Sequence, residues 1–262
     1  MRRLLFCLFC LLLGTLPVQA TEIFNNGFEG CTDGSACSTG TGWDTETDTG
    51  GDMAASESVF RTGACSCTWL INDTTDSYVE EDAAITTETE ATIRLFMLVA
   101  DGGNYIDASG WAGLMRGRNE ANDAGTFAWR FTQGTSAPTW AVSAFVNLDS
   151  GDTSSSDAFV IQANVWNCLQ MHWKASSAAG ANDGFMHIWV NSKYAGGVTG
   201  LDNDTKDFGE LLVGDEFGQD AGTPSIRYYI DDVVIQDDST LTPCSGGRNY
   251  PAPVSTLLGT QY

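Results

Sequence analysis

Basic residues are scarce in this chain: lysine and arginine total 12 against 34 aspartates and glutamates, a formal net charge of −22 over 262 residues. That balance excludes a nucleic-acid partner, because phosphate binding needs a basic surface. Histidine is scarcer still, occurring as His172 and His187 alone. Long apolar runs are missing too. The one candidate, Leu4 to Leu13, breaks at Gly14, Thr15 and Pro17, short of the roughly 20 residues of a membrane span, so no membrane anchor is expected. No stretch keeps a helical apolar period over several turns. Catalytic signatures are also lacking: there is no glycine-rich phosphate loop, no Gly-x-Ser-x-Gly turn, and no strand with the Glu-x-Asp-x-x-Glu pattern of jelly-roll glucanases.

What is present begins with Arg2 and Arg3, the apolar run, and then Val18-Gln19-Ala20, which fits the small-residue rule of signal peptidase. Residues 1–20 therefore read as a signal peptide cleaved after Ala20, and the mature protein as secreted. Cys7 and Cys10 have no small residue just ahead of them, which argues against a lipid-modified cysteine. Of the eight cysteines, Cys31, Cys37, Cys65, Cys67, Cys168 and Cys244 remain, an even number that implies disulfides in an exported chain. Cys65 and Cys67 are two apart on a predicted strand; they share a face and do not bond to each other. Cys31 and Cys37 flank a Gly- and Ser-rich loop and are expected to join locally. No second cysteine pair follows Cys65-Ser66-Cys67 at zinc-site spacing.

Short alternating runs separated by Gly, Asp, Asn, Ser and Thr clusters predict strands over 22–29, 65–71, 90–100, 111–118, 126–133, 139–148, 166–174, 185–191, 208–214 and 226–236. This is an all-β pattern, a two-sheet antiparallel β-sandwich of the jelly-roll kind over residues 21–244, with a coil over 245–262 that carries Pro251 and Pro253. Alternation places Trp111 and Met115, then Phe127, Trp129 and Phe131, then Trp140, Val142, Val146 and Leu148 on core faces. Arg116, Arg118, Arg130 and Ser143 fall on the opposite faces.

One predicted hairpin fixes its own register. Leu169, Met171 and Trp173 alternate with Gln170, His172 and Lys174, while Met186, Ile188 and Val190 alternate with Phe185, His187 and Trp189. If both apolar sets face the core, Gln170 opposes Trp189, His172 opposes His187 and Lys174 opposes Phe185, or each lies one diagonal away. The outward strip mixes aromatic and hydrogen-bonding groups, as sugar-binding surfaces do. Arg116 and Arg130 extend it if their strands belong to the same sheet, and the added cations would favour a uronate or sulfated glycan.

Phe28-Glu29-Gly30, then Gly42-Trp43 and Arg61-Thr62-Gly63-Ala64-Cys65-Ser66, resemble the opening of bacterial carbohydrate-binding modules, and Tyr229-Ile230-Asp231-Asp232-Val233-Val234-Ile235 resembles their last strand. Trp166, Leu169 to Trp173, and Gly184 to Asn191 are similar to the laminin-G and concanavalin A-like jelly roll, with Ser192 where that family has a glycine. The resemblance implies neighbouring first and last strands and a structural calcium ion (Ca2+) held by Glu29 and Asp231, with Asp232 the alternative if the strand bulges. Calcium takes six to eight oxygens, so loop carbonyls would have to contribute. The acidic loops Asp44, Glu46, Asp48, Asp52 and Asp202, Asp204, Asp207 lack the glycine of an EF-hand and read as solvated turns.

Gln170-Met171-His172 resembles the Gln-x-His of alginate-lyase-like jelly rolls, although Arg94 matches their arginine strand poorly. Glu88 and Glu90 look like the polar start of a strand, and Asn72-Asp73-Thr74 and Asn203-Asp204-Thr205 are glycosylation acceptors in a host that glycosylates. The function these residues imply is recognition of an extracellular polysaccharide. A polysaccharide lyase or glycoside hydrolase on the same fold, and a structural or adhesive surface protein, are the alternatives.

Overall fold

Residues that alternate in polarity at every second position make extended segments with one apolar face, and that face is stable only against another sheet. The computed structural model describes residues 21–71, 75–100, 111–119, 124–133, 139–216, 226–237 and 244. The expected leader (1–20), the C-terminal coil (245–262) and Asn72-Asp73-Thr74 lie outside the described residues, as does the side chain of Phe131. The strands are β1 (Glu22–Asn26), β2 (Thr45–Asp48), β3 (Met53–Ser56), β4 (Ser66–Ile71), β5 (Ser77–Glu81), β6 (Glu90–Ala100), β7 (Ala112–Asn119) and β8 (Ala124–Gln133). They continue with β9 (Thr139–Asn147), β10 (Thr153–Ser155), β11 (Phe159–Gln162), β12 (Asn167–Lys174), β13 (Gly184–Val190), β14 (Lys193–Leu201), β15 (Glu210–Asp215) and β16 (Ile226–Gln236). The described residues contain no helix.

Two eight-stranded antiparallel sheets pack face to face. The first runs β14-β13-β12-β6-β16-β4-β3 with β1 added on β16, and the second runs β10-β9-β8-β7-β15-β5-β2 with β11 added on β9. The expected pairing of first and last strands is present as β1 on β16. Their inner faces share one core, in which Trp69 stacks on Tyr228 at 5.4 Å and Phe127 packs on Trp173 at 5.7 Å and Phe208 at 5.2 Å. Gly117 is a glycine for a packing reason: a Cβ there would lie 2.2 Å from the Phe127 ring, so the ring occupies the space of the missing side chain.

The expected local Cys31–Cys37 bond is replaced by Cys31–Cys65 and Cys37–Cys67, with Cys168–Cys244 as the third bridge. The reason is the shared face of Cys65 and Cys67. The loop between Cys31 and Cys37 is pinned to β3 by Gly34 N–H donating to the Ala55 carbonyl and Ala55 N–H donating to the Ser35 carbonyl, and so delivers one cysteine to each thiol. Trp111 also differs from expectation. A bulge between Gly113 and Met115 inserts Leu114 and reverses the parity of β7, so Met115 is buried as predicted while Trp111 turns to the outer face.

Candidate functional site

The β12–β13 ladder has the predicted register: Gln170 pairs with Trp189, His172 with His187, and Lys174 with Phe185. The next turn, Asn191-Ser192, has both residues at positive φ (51° and 66°), a two-residue hairpin that folds β14 back beside β13. Ser192 thus adopts a left-handed conformation that glycine favours. Trp189 then pairs with Tyr194, which is 60% exposed and joins the outer face.

The result is a ladder of rings on the outer face of the first sheet. His172 meets Phe185 edge-on at 4.8 Å, Phe185 stacks on His187 at 4.7 Å, and His187, Trp189 and Tyr194 lie 5.7 to 6.0 Å from one another. Glu90 of β6 anchors the other end, with Oε1 2.8 Å from His172 Nε2 and Oε2 2.8 Å from Lys174 Nζ. Burial would raise the Glu90 pKa, but hydrogen bonds from Lys174 and His172 outweigh it and hold the carboxyl below its ordinary value. Burial first, and then the neighbouring His172, push His187 below the usual imidazole value.

Not every strip residue is accessible. Gln170 is 2% exposed because the Cys168–Cys244 bridge lies over it, with Cys244 Sγ 3.2 Å from Gln170 Oε1, and His172 is also buried. Phe185, His187, Trp189 and Lys174 are half-buried, and with Tyr194 they make the open part of the surface. Arg116 and Arg130 are not part of it. They stand on β7 and β8 of the second sheet, whose outer face points away from the first. The sequence established the parity of these arginines but not their sheet.

On that opposite face the Arg130 guanidinium lies 4.0 Å from the centre of the Trp111 ring and 4.7 Å from that of Phe145. Arg116 pairs with Glu216 at 2.5 Å, and Arg118 grips Glu210 through two nitrogens, with Glu80 3.6 Å away. Burial, followed by the charge of Glu210 and a hydrogen bond with it, pushes Glu80 up to about 7. Burial and then Arg116 lower the pKa of Arg130. A pocket of about 270 Å³ opens beside Arg116, Arg130, Phe145 and Asn147.

The residues of the expected cation site also converge. Phe28, at φ 57°, is held in place by stacking on Trp43 at 5.6 Å, and Glu29 follows it to accept the Ala64 N–H at 2.9 Å. Gly63, at φ 63°, adopts a conformation that favours glycine, and the Glu29 carboxyl occupies the space a Cβ there would take. The β16 strand bulges between Asp231 and Val234, so Asp231 and Asp232 both approach this corner. At Gly27, a Cβ would lie 3.3 Å from Asp232 Oδ1, 3.6 Å from Asp231 Oδ1 and 3.6 Å from Glu29 Cγ.

Asp231 is fully buried and accepts the N–H groups of Arg61 at 2.7 Å, Thr62 at 3.2 Å and Asp232 at 2.8 Å; Asp232 pairs with the Arg61 guanidinium. Burial, and then the charge of Asp232, push Asp231 up to about 8. Among the described residues these three carboxyls do not bring one oxygen each within 4.8 Å of one another, and those of Asp231 and Asp232 are already engaged by the Arg61 and Thr62 backbone and the Arg61 guanidinium. The acidic loops are occupied differently. Asp44 accepts the N–H groups of Asp82 and Ala83, Glu46 accepts that of Ser38, and Asp48 accepts that of Asp52. Asp202 and Asp204 gather with Asp149 within 4.8 Å, whereas Asp207 takes the amide of Asn119.

No protein-family model and no curated protein sequence matches the chain. Solved structures do resemble it. The alginate lyase Aly36B superposes with a TM-score of 0.50 at 8% identity, over 85% of this chain and 98% of that one. The receptor-binding domain of botulinum neurotoxin C/D mosaic serotype gives 0.53 at 8% identity over 84% of this chain and 48% of that one, and the serotype D ligand-binding domain, solved with N-acetylneuraminic acid, gives 0.52 at 8% over the same shares. The chain thus spans about half the length of the toxin domains. Identities this low establish a shared β-sandwich fold and leave function to the site.

Proposed function

We propose that this chain is a secreted, calcium-stabilised protein that binds an extracellular polysaccharide on the outer face of its first sheet. One observation carries the reading: Phe185, His187, Trp189 and Tyr194 form a continuous half-exposed aromatic surface flanked by Lys174 and Glu90. Rings of this kind offer apolar faces to the C–H faces of sugars, while the charged pair beside them offers donors and acceptors to hydroxyls. The solved folds that resemble this one include a lyase of alginate and a domain holding a sialic acid, which supports a glycan as the partner. Three disulfides fit an oxidising, extracellular setting. Calcium at Glu29, Asp231 and Asp232 would tie β16 to the segment after β1.

The lyase alternative is weakened by Gln170, which a Gln-x-His chemistry would need exposed and which the Cys168–Cys244 bridge covers. The test is affinity electrophoresis through gels containing a neutral or an acidic polysaccharide. Retardation of the wild type, and its loss in Trp189→Ala, is the expected result. Equal mobility of wild type and variant in every retarding gel would remove the strip as the binding surface.

A further inference from the structure

We propose that the aromatic strip is a site for an uncharged polysaccharide, and that the His187 imidazole, set among the Phe185, Trp189 and Tyr194 rings and opposite Gly197, is the group that reads its hydroxyls. That a glycan binds here rests on the reading above; the charge class of the ligand and the part played by His187 are added to it. An acidic glycan was favoured by Arg116 and Arg130, and both belong to the second sheet.

Charge on the open surface is nearly cancelled. Of Phe185, His187, Trp189, Tyr194 and Lys174, Lys174 alone carries a formal charge, and Glu90 Oε2 lies 2.8 Å from its Nζ. Arg94 also stands on this outer face, but it pairs across β6 and β12 with Gln170, which the Cys168–Cys244 bridge covers, and Asp232 and Glu22 offset its charge. The chain as a whole carries a formal net charge of −22. A polyanion approaching the strip therefore meets repulsion from the protein and finds the lysine of the open surface already paired.

The two histidines are placed differently. His172 is buried and committed to Glu90, whereas His187 is half-buried and meets rings: Phe185 at 4.7 Å, Tyr194 at 5.8 Å and Trp189 at 6.0 Å. Neither ring nitrogen of His187 is hydrogen-bonded among the described residues. The neighbouring strand leaves the imidazole uncovered, because the residue opposite it on β14 is Gly197. A Cβ there would lie 2.3 Å from the Met186 carbonyl oxygen and 3.0 Å from His187 Cδ2, so the close approach of the two strands requires glycine. A neutral imidazole offers one N–H donor and one bare acceptor nitrogen, and sugar hydroxyls both donate and accept, so one sugar can satisfy both nitrogens while the flanking rings take its C–H faces. A carboxylate only accepts. It can take the N–H but leaves the bare nitrogen without a donor unless His187 is protonated, which burial and the neighbouring His172 oppose.

The experiment is affinity electrophoresis through gels of β-glucan, mannan, xylan and galactan, and through gels of the same polymers carboxymethylated, at low and high salt. Wild type is expected to be retarded by at least one neutral polymer and less by its carboxymethylated form at low salt, with the difference shrinking at high salt. His187→Phe, which keeps a ring but neither nitrogen, should weaken binding to the neutral polymer about tenfold, and His187→Gln, which keeps a donor and an acceptor, should weaken it less. Equal or stronger retardation by a carboxymethylated polymer at low salt would overturn the uncharged class and leave the glycan reading standing. A His187→Phe variant that binds as tightly as wild type would overturn the role of His187. Failure of every gel, neutral and acidic, to retard wild type would remove the glycan reading and this inference with it. Should the His187 variants fail to fold, the ring-nitrogen NMR signals of wild-type His187 decide as oligosaccharides of the retarding polymer are added: a shift supports the role, and its absence overturns it.

Discussion

His172 lies directly opposite His187 across the β12–β13 ladder, and the Phe185 ring bridges them, 4.8 Å from the first and 4.7 Å from the second. Burial and the His172 charge both depress the His187 pKa below its ordinary 6.5. An imidazole depressed in the folded state contributes stability that is present above the unfolded value and lost as pH falls through the folded one. An NMR titration should therefore give His187 a midpoint below 6.5, moving upward in His172→Ala; a wild-type midpoint at or above 6.5 would contradict the packing described.

A second pH dependence has the opposite sign. Glu80 is pushed up to about 7 by burial and then by Glu210, and Glu81 to about 7 by burial, outweighing the Ala84 N–H bond that lowers it. Carboxyls raised in the fold stabilise it most below the unfolded value of 4.5, and that contribution is lost as pH rises through about 7. The melting temperature should fall between about pH 5 and 8, and Glu80→Gln should flatten that fall. A wild type whose stability rises steadily over this range would contradict the assignment.

The disulfides make a sharp chemical prediction. Peptide mapping without reduction should find Cys31 joined to Cys65 and Cys37 to Cys67. Losing either bridge should cost about 2 to 5 kcal/mol. A peptide joining Cys31 to Cys37 would restore the simpler expectation that loop composition suggests.

Much of this is legible in the amino-acid sequence, and the departures from it have physical causes. The faces of β12 and β13, and their register to within one diagonal, follow from parity, because a slip by one residue would turn Met171 and Ile188 outward and point Lys174 and His172 into the core. The boundaries of β6 and β16 are readable for the same reason. Short or polar edge segments are not: Thr45–Asp48 alternates no apolar residues, and Lys193–Leu201 is rich in glycine, so the pattern marks neither β2 nor β14 and does not place Tyr194. The predicted core position of Trp111 fails because a bulge reverses parity without a signature in composition. Membership of Arg116 and Arg130 in the second sheet depends on long-range pairing, which local pattern does not encode.

Calcium, if Glu29, Asp231 and Asp232 hold it, binds the native state alone and raises the melting temperature by mass action, worth about 2.7 kcal/mol at a hundredfold excess over Kd. Glu29→Gln should remove most of the difference between calcium and chelator. Identical melts in both conditions, for wild-type protein freed of metal, would remove the site.

The central claim is that polysaccharide lies along the rings on the outer face of the first sheet. The most direct measurement is hydroxyl-radical footprinting of the intact protein with and without a retarding polysaccharide, read at single residues. Protection of Phe185, His187, Trp189 and Tyr194, with Trp111 and Val160 as reporters elsewhere on the surface, is the predicted result. Bound polysaccharide that leaves Trp189 and Tyr194 as reactive as in the free protein would contradict it.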